Sequence, residues 1–412
     1  MSAERPLEGI RVLEYAQYVA GPFAGMLLAD LGAEVIKVEP PGGEAYRHLD
    51  PFAAGESRYF YALNRGKRSL VLDLRTEEGR RESQALIRTA DLALHNFPPP
   101  RARAFGLDWE TVRSLNPRIV LCTITAFGPE GPLANRLAYD LVVQAFSGLL
   151  LTGAHPEDRL PVRAGGIPIV DLTAGLLLAV GALAGLLHRQ ATGDGLHVEV
   201  PLLAAALAVQ LQDLVWVEAL QGPPPALDPE RPAGPSDLRR RAEEVALRLS
   251  LNPYYRCYEA QDGYLAVACL NRRQREAMLR VFGFQDPALE DPDKVPEDPA
   301  ERQRRQELVR ALEERIASRP VAFWLEQFEA RGVPCAPVRD LRALYQDPQA
   351  RANRLLALLQ QPGVGPVWVL GSLWRLNGQP NPIGPSIPSF GGLAAVSLSG
   401  GEDHHGDRGA FF

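Results

Sequence analysis

Along the first half of the chain, short apolar runs alternate with segments in which apolar residues recur every three or four positions. Residues 10–15, 33–38, 69–74, 91–95 and 119–125 are of the first kind and read as buried strands. Residues 21–31, 77–88 and 109–115 are of the second kind and read as helices, the first of them amphipathic. That alternation implies an α/β fold with a parallel sheet covered on both faces. Further helical patterns at 139–150, 172–190 and 202–220, with a strand at 196–200, extend this first domain over residues 1–221.

Residues 222–235 hold six prolines in fourteen positions, which neither continue a helix nor pair in a sheet, and read as a linker. Beyond it, strands at 254–258 and 264–269 flank Asp262-Gly263, a hairpin-turn dipeptide. Helical patterns follow at 272–281, 302–318 and 321–331, giving a smaller α+β domain over residues 236–340. Residues 341–412 are loop-rich, with Pro380, Pro382, Pro385 and Pro388 close together, and are expected to wrap a surface instead of building a third core.

Composition narrows the classes of partner. Apolar residues make up 46% of the 412 positions, enough for real cores. The 44 basic and 50 acidic residues leave a net charge of -6 with no long tract of one sign, so no nucleic-acid partner is expected. Cys122, Cys257, Cys269 and Cys335 form neither a disulfide framework nor a C-x-x-C pattern, and the opening residues lack a secretory h-region. A cytoplasmic setting is the expectation. The charge-free stretch 172–187 is 16 residues long, short of a bilayer core, and reads as a buried helix with no membrane role. Within it Gly181 and Gly185 share a face that a second helix can approach.

The turn after the first strand carries A-G-P-F-A-G and not the G-x-G-x-x-G of a dinucleotide site. No Walker sequence and no metal-ligand cluster is visible, so no metal and no permanently bound cofactor are expected. Lys37, residues 64–68, Arg75, Arg101 and Arg103 do collect in loops after strands. They read either as solvated surface charge or, as a set, as a site for a ligand with several phosphates at the carboxyl ends of the strands. Asn96-Phe97, directly after a strand, offers an amide and an aromatic wall beside them. Asp171 precedes the long apolar helix among uncharged neighbours. It reads as an N-cap and also as a carboxylate nucleophile held at a positive helix terminus, and the two readings are compatible.

Taken in order, P-L-E-G-I-R-V-L-E at the start, A-G-P-F-A at 20–24, L-G-A-E-V-I-K-V-E-P-P at 31–41, N-R-G-K-R-S-L-V-L-D-L at 64–74, H-N-F at 95–97, Y-D-L-V-V-Q-A at 139–145 and V-D-L-T-A-G at 170–175 make a specific joint pattern. The chain resembles the class III CoA-transferases of the CaiB/BaiF type. The resemblance implies a Rossmann-like large domain built from both termini, a smaller domain, and linkers through which two subunits interlock as a homodimer. It implies coenzyme A and acyl-CoA as substrates together with a carboxylic acid acceptor. Asp171 stands where the family's aspartate attacks the thioester. Contacts to CoA fall, by the same matching, at Val19 and Ala20, at Leu72, Asp73, Leu74 and Arg75, at Asn96 and Phe97, and from Arg136 to Tyr139. Arg103 is expected to replace a basic contact common at the position of Ala104.

Besides Ala104, the chain departs from the pattern at Pro98, which follows Asn96-Phe97 where arginine or glycine is often found. Val19 replaces the glutamine that formyl-CoA transferase carries before A-G-P, and residues 249–255 replace a glycine-rich loop of the second domain. Two other readings are kept open. Related α-methylacyl-CoA racemases move an α-proton with a histidine just before the aspartate of the 139–140 pair, but Tyr139 is a poor base at neutral pH. A non-catalytic acyl-CoA-binding homologue would retain the fold without the chemistry.

Overall fold

The computed structural model describes residues 5–53, 56–155, 157–161, 163–223, 231–286, 289–290, 292 and 294–393. The chain divides into two compact units. One comprises residues 1–149, 163–224 and 347–412, and the other comprises 150–162 and 225–346.

The first unit is built on six parallel strands: β1 (Arg11–Glu14), β2 (Glu34–Glu39), β3 (Lys67–Val71), β4 (Leu92–His95), β5 (Val120–Thr125) and β6 (Leu196–Pro201). Their spatial order is 3-2-1-4-5-6, every neighbouring pair parallel. The pleat sends alternate residues to opposite sides, so Val12 and Leu13 enter two different cores. Helices α1 (Ala20–Asp30), α5 (Asp140–Phe146), α6 (Ile169–Thr192) and α7 (Leu202–Ala208) supply residues to the core that holds Val12. Helices α2 (Glu77–Ile87), α3 (Pro99–Phe105) and α4 (Trp109–Leu115) supply the core that holds Leu13.

Four expectations change. Helix α1 is not amphipathic: every one of its 11 residues is buried. Helix α6 extends to 24 residues, long and apolar enough to cross a membrane by those criteria alone, so length does not exclude a span. Gly181 and Gly185 face the sheet and not another helix, since a β-carbon at either would lie 2.5 Å and 2.4 Å from the side chains of Val198 and Val120. It is Gly175 that admits a helix, its missing β-carbon falling 2.6 Å from the Ala20 carbonyl of α1. The helix expected over 202–220 stops at Ala208, and the apolar side chains of Leu211, Leu214 and Val215 beyond it are exposed.

Residues 356–393 complete this unit. A hairpin of Leu356–Gln361 and Gly365–Leu370 packs Leu359 and Val369 with Phe60 and Tyr61 of the short helix Arg58–Leu63. Gly66, at a left-handed φ of 73°, donates its N–H to Ser386 O, and Gly384 presses against it where no side chain fits. Leu393 pairs with Leu70 on the edge strand β3.

In the second unit, Tyr255–Ala260, Gly263–Ala268 and Cys335–Pro337 form an antiparallel sheet. Helices Arg272–Phe282, Pro299–Ala317 and Val321–Glu329 close its core around Tyr254, Tyr258, Met278 and Phe328. The hairpin turns at Gln261-Asp262, with Gly263 already paired. A further helix, Pro235–Leu251, begins at the last proline of the expected linker. Its Leu238 and Ala242 pack on Ala154 and Leu151 from the 150–162 segment of the same unit. Residues 224–230 of that linker lie outside the described residues.

Candidate active site

A 3-2-1-4-5-6 order reverses direction between strands 1 and 4, and loops leaving the carboxyl ends of those two strands open a crevice there. In this chain Asn96 ties the two loops together. Its Oδ1 accepts the Gln17 N–H at 3.0 Å and its Nδ2 donates to Gln17 O at 2.8 Å. Beside it, the buried His95 ring bonds Leu107 O at 3.0 Å through Nε2 and takes the Phe97 N–H on Nδ1 at 3.3 Å. These contacts set the tautomer, and burial lowers this imidazole to about 4, so a neutral ring orients Phe97. Tyr18 follows Gln17 with a left-handed φ of 68°, unusual for a side chain of that size. Its ring meets those of Tyr46 at 5.5 Å and Tyr139 at 5.3 Å.

A cavity at this crevice is lined by Val19, Ala20, Asn96, Phe97, Arg136 and Tyr139, and by Asp171. A second cavity of about 650 Å³ is lined by Leu72, Asp73, Leu74, Arg75 and Ala104. Gln17, Phe97 and Arg101 line both. Of the residues singled out in the sequence as CoA contacts, only Arg103 lies on neither wall; it is exposed on α3, two residues past Arg101. Arg75 is held by its neighbour, donating from Nε and Nη2 to the two carboxylate oxygens of Asp73 at 2.8 Å each.

Three further cations of the expected set are neither surface charge nor ligand contacts. Lys37 Nζ lies 2.8 Å from Glu14 and 3.3 Å from Glu44, Lys67 Nζ 2.7 Å from Glu14, and Arg65 Nη2 2.5 Å from Asp30. All three are buried beneath the loops. Burial lowers Lys67 to about 8 in spite of Glu14. Gly25 leaves the space for this cluster, because a β-carbon there would overlap the Glu14 carboxylate.

Asp171 is the third residue of α6, whose N-cap is Pro168, so it does not cap the helix. Capping comes instead from α5. Asp140 Oδ1 accepts the N–H groups of Val170 at 2.9 Å and Asp171 at 3.2 Å. The Asp171 side chain remains directed to the cavity. Burial, and after it the charge of Asp140, raise this carboxyl from 3.8 to about 7, with Arg163 pulling the other way. Burial and then Asp171 push the Tyr46 phenol up to about 12. A carboxylate more basic than usual, at a helix N-terminus and open to a cleft, is a competent nucleophile toward an acyl carbon. Among the described residues no cluster of His, Cys, Asp or Glu is arranged to hold a metal ion.

Residues 7–392 match the sequence model of CoA-transferase family III. The chain belongs to this family. Among curated relatives of this CoA-transferase, the succinyl-CoA:glutarate CoA-transferase of Mus musculus is 35% identical over 90% of the chain and 80% of the relative. The acetyl-CoA:oxalate CoA-transferase of Acetobacter aceti is 32% identical over 85% of each. A CaiB/BaiF family protein from Brucella suis shares the fold with a TM-score of 0.73 and 30% identity, covering 95% of this chain and 98% of that one. Sequence reasoning about this family III enzyme gave no role to Tyr18, Tyr46 or Asp140. Asp140 sat inside a quoted motif, but its bond to a helix some thirty residues on carries no local signal.

Proposed function

We propose that the protein moves CoA from a short acyl-CoA thioester to a small carboxylic acid, with Asp171 as the covalent relay. The observation that carries this reading is the Asp171 carboxyl, raised toward neutrality and lining the crevice between strands 1 and 4. One carboxylate oxygen attacks the thioester carbon, the C–S bond breaks, and CoA leaves as thiolate from a mixed anhydride. The thiolate then attacks the aspartyl carbon, releasing the donor acid and leaving an aspartyl-CoA thioester. An acceptor carboxylate displaces CoA from that thioester to form a second anhydride, and the thiolate attacks its acyl carbon to free Asp171. No proton or electron is gained or lost overall.

In this reading the CoA phosphates lie along the second cavity near Arg75 and Arg101, and the thioester reaches past Phe97 to Asp171. Dicarboxylic acids are the favoured acceptors, because Arg101, Arg136 and Arg163 bring positive charge to the cleft and to Asp171, and because relatives are named for glutarate and oxalate. Proton transfer of the racemase kind is disfavoured by Tyr139 at the histidine position. A second copy of the chain covers the exposed Leu176, Val180 and Leu187 of α6 and the exposed Leu220, in an interlocked homodimer.

The test is to offer succinyl-CoA with a panel of mono- and dicarboxylic acids and follow new thioesters by mass spectrometry, with hydroxylamine added to trap the intermediate. New thioesters, and a hydroxamate mapped to Asp171, are expected. CoA exchange at the wild-type rate by Asp171→Ala, or absence of any exchange, refutes the assignment and favours a binding protein.

A further inference from the structure

The first turn of α6 lacks a cap of its own. Pro168 at the N-cap position offers no side-chain acceptor, and the next residues expose their N–H groups as every helix start does. Two of these, from Val170 and Asp171, converge on one oxygen of Asp140. The other oxygen accepts from Gln144 Nε2 at 2.6 Å, and Gln144 Oε1 accepts the Ala164 N–H at 2.9 Å. That last bond fixes the amide orientation, because a backbone N–H can only donate. Asp140 is 5% exposed and Gln144 is fully buried. The chain Ala164–Gln144–Asp140–Asp171 thus clamps the segment before α6 and the helix start onto α5. In each of these three bonds Asp140 is the acceptor, as an ionised carboxylate must be.

We infer that Asp140 is a positioning residue with two separable roles: it holds the start of α6 so that the Asp171 side chain enters the cleft, and it sets a negative charge beside the Asp171 carboxylate. The inference rests on the reading of Asp171 as nucleophile. Charged or titratable groups facing Asp171 come from several elements. Asp140 lies on α5, Arg163 precedes α6, and Tyr46 follows β2, while Arg101, Arg136, Tyr18 and Tyr139 line the same cavity. The neighbouring turn of α1, from Ala20 to Phe23, is uncharged. Asp140 is the one carboxylate in this set.

Geometry and charge separate in a swap, the double variant Asp140→Asn with Gln144→Glu, in which every hydrogen bond survives. The introduced amide oxygen takes the two helix N–H groups, its nitrogen donates to the introduced carboxylate, and that carboxylate accepts from Ala164. The negative charge moves one side chain away from Asp171. Asp140→Ala removes both cap and charge.

The experiment is the pH dependence of kcat for acyl-CoA exchange in wild type, the Ala variant and the swap. The Ala variant is expected to lose at least ten-fold in plateau rate, as an uncapped helix start moves the nucleophile. The swap is expected to recover most of that plateau with the acid limb about one pH unit lower. A wild-type plateau in the Ala variant overturns the positioning role. A swap whose limb coincides with wild type overturns the charge role. The titration of Asp171 is also read without substrate, from the melting-temperature gap between each background and its Asp171→Asn derivative across pH. A shift there in a protein that forms no Asp171 adduct supports the charge role while failing the nucleophile reading.

Discussion

Replacing Asp171 by Asn stabilises the resting protein, and by more as pH rises. The wild-type carboxyl carries a folded-state value raised from 3.8 to about 7, so the native chain binds its proton more tightly than the unfolded one. Linkage then makes stability fall as pH climbs from about 4 to 7, with no further loss above. At 1.36 kcal/mol per tenfold, charging Asp171 in the native state costs about 4 kcal/mol at pH 8 and about 1.5 kcal/mol at pH 5. Asparagine has nearly the same shape and no charge to desolvate. The gap in melting temperature between Asn variant and wild type is therefore expected to widen by several degrees between pH 5 and 8, at about 2 °C per kcal/mol. Differential scanning fluorimetry at one scan rate and constant ionic strength reads it, the fixed rate serving because large chains often unfold irreversibly. A gap independent of pH, or an Asn variant less stable than wild type at pH 8, refutes the account of Asp171 as a charge held against burial.

Other consequences are equally open to measurement. Arg101→Ala is expected to weaken CoA binding about ten-fold and flatten its salt dependence, whereas Arg103→Ala leaves both unchanged by calorimetry; equal effects would misplace the phosphates. Glu14→Gln removes the carboxylate on which both Lys37 and Lys67 rest, leaving Lys37 only Glu44 at 3.3 Å, and is expected to cost about 3–5 kcal/mol. A melting temperature within a degree of wild type would show the cluster to be dispensable. Two differently tagged preparations, mixed under native conditions, are expected to form no doubly tagged species over hours, since threaded subunits part only by unfolding; rapid exchange excludes interlocking.

The sheet was legible because its strands announce themselves as apolar runs of the right length, and the expected strands fall within a few residues of those observed. Helix Pro235–Leu251 was hidden by the prolines just before it, though Pro235 at the first position and Asp237 in the first turn are ordinary helix-start signals. Lys37, Arg65 and Lys67 misled for another reason. A cation is normally exposed, and nothing local to them reveals that Glu14 and Asp30 wait across the fold. The position of Asp171 before an apolar helix was readable; its third-residue place and its outside cap were not, because Pro168 and Asp140 act through geometry some thirty residues apart in sequence.

The contact of Gly66 with Ser386 and of Leu70 with Leu393 also dictates an order in time. Strand β3 is among the early segments to leave the ribosome, yet its outer edge meets its partner only when the last residues of the described chain are free. For the whole interval in which residues 150–346 are being made, an unpaired edge and the apolar side chains of Phe60 and Tyr61 await their cover. The second unit, whose residues are complete by position 346, is able to finish folding while the first is still open. The unit begun first is thus sealed last, and a nascent chain truncated before residue 381 leaves Asp30 without the Asn381 amide that holds its carbonyl and offers an edge to any neighbouring strand.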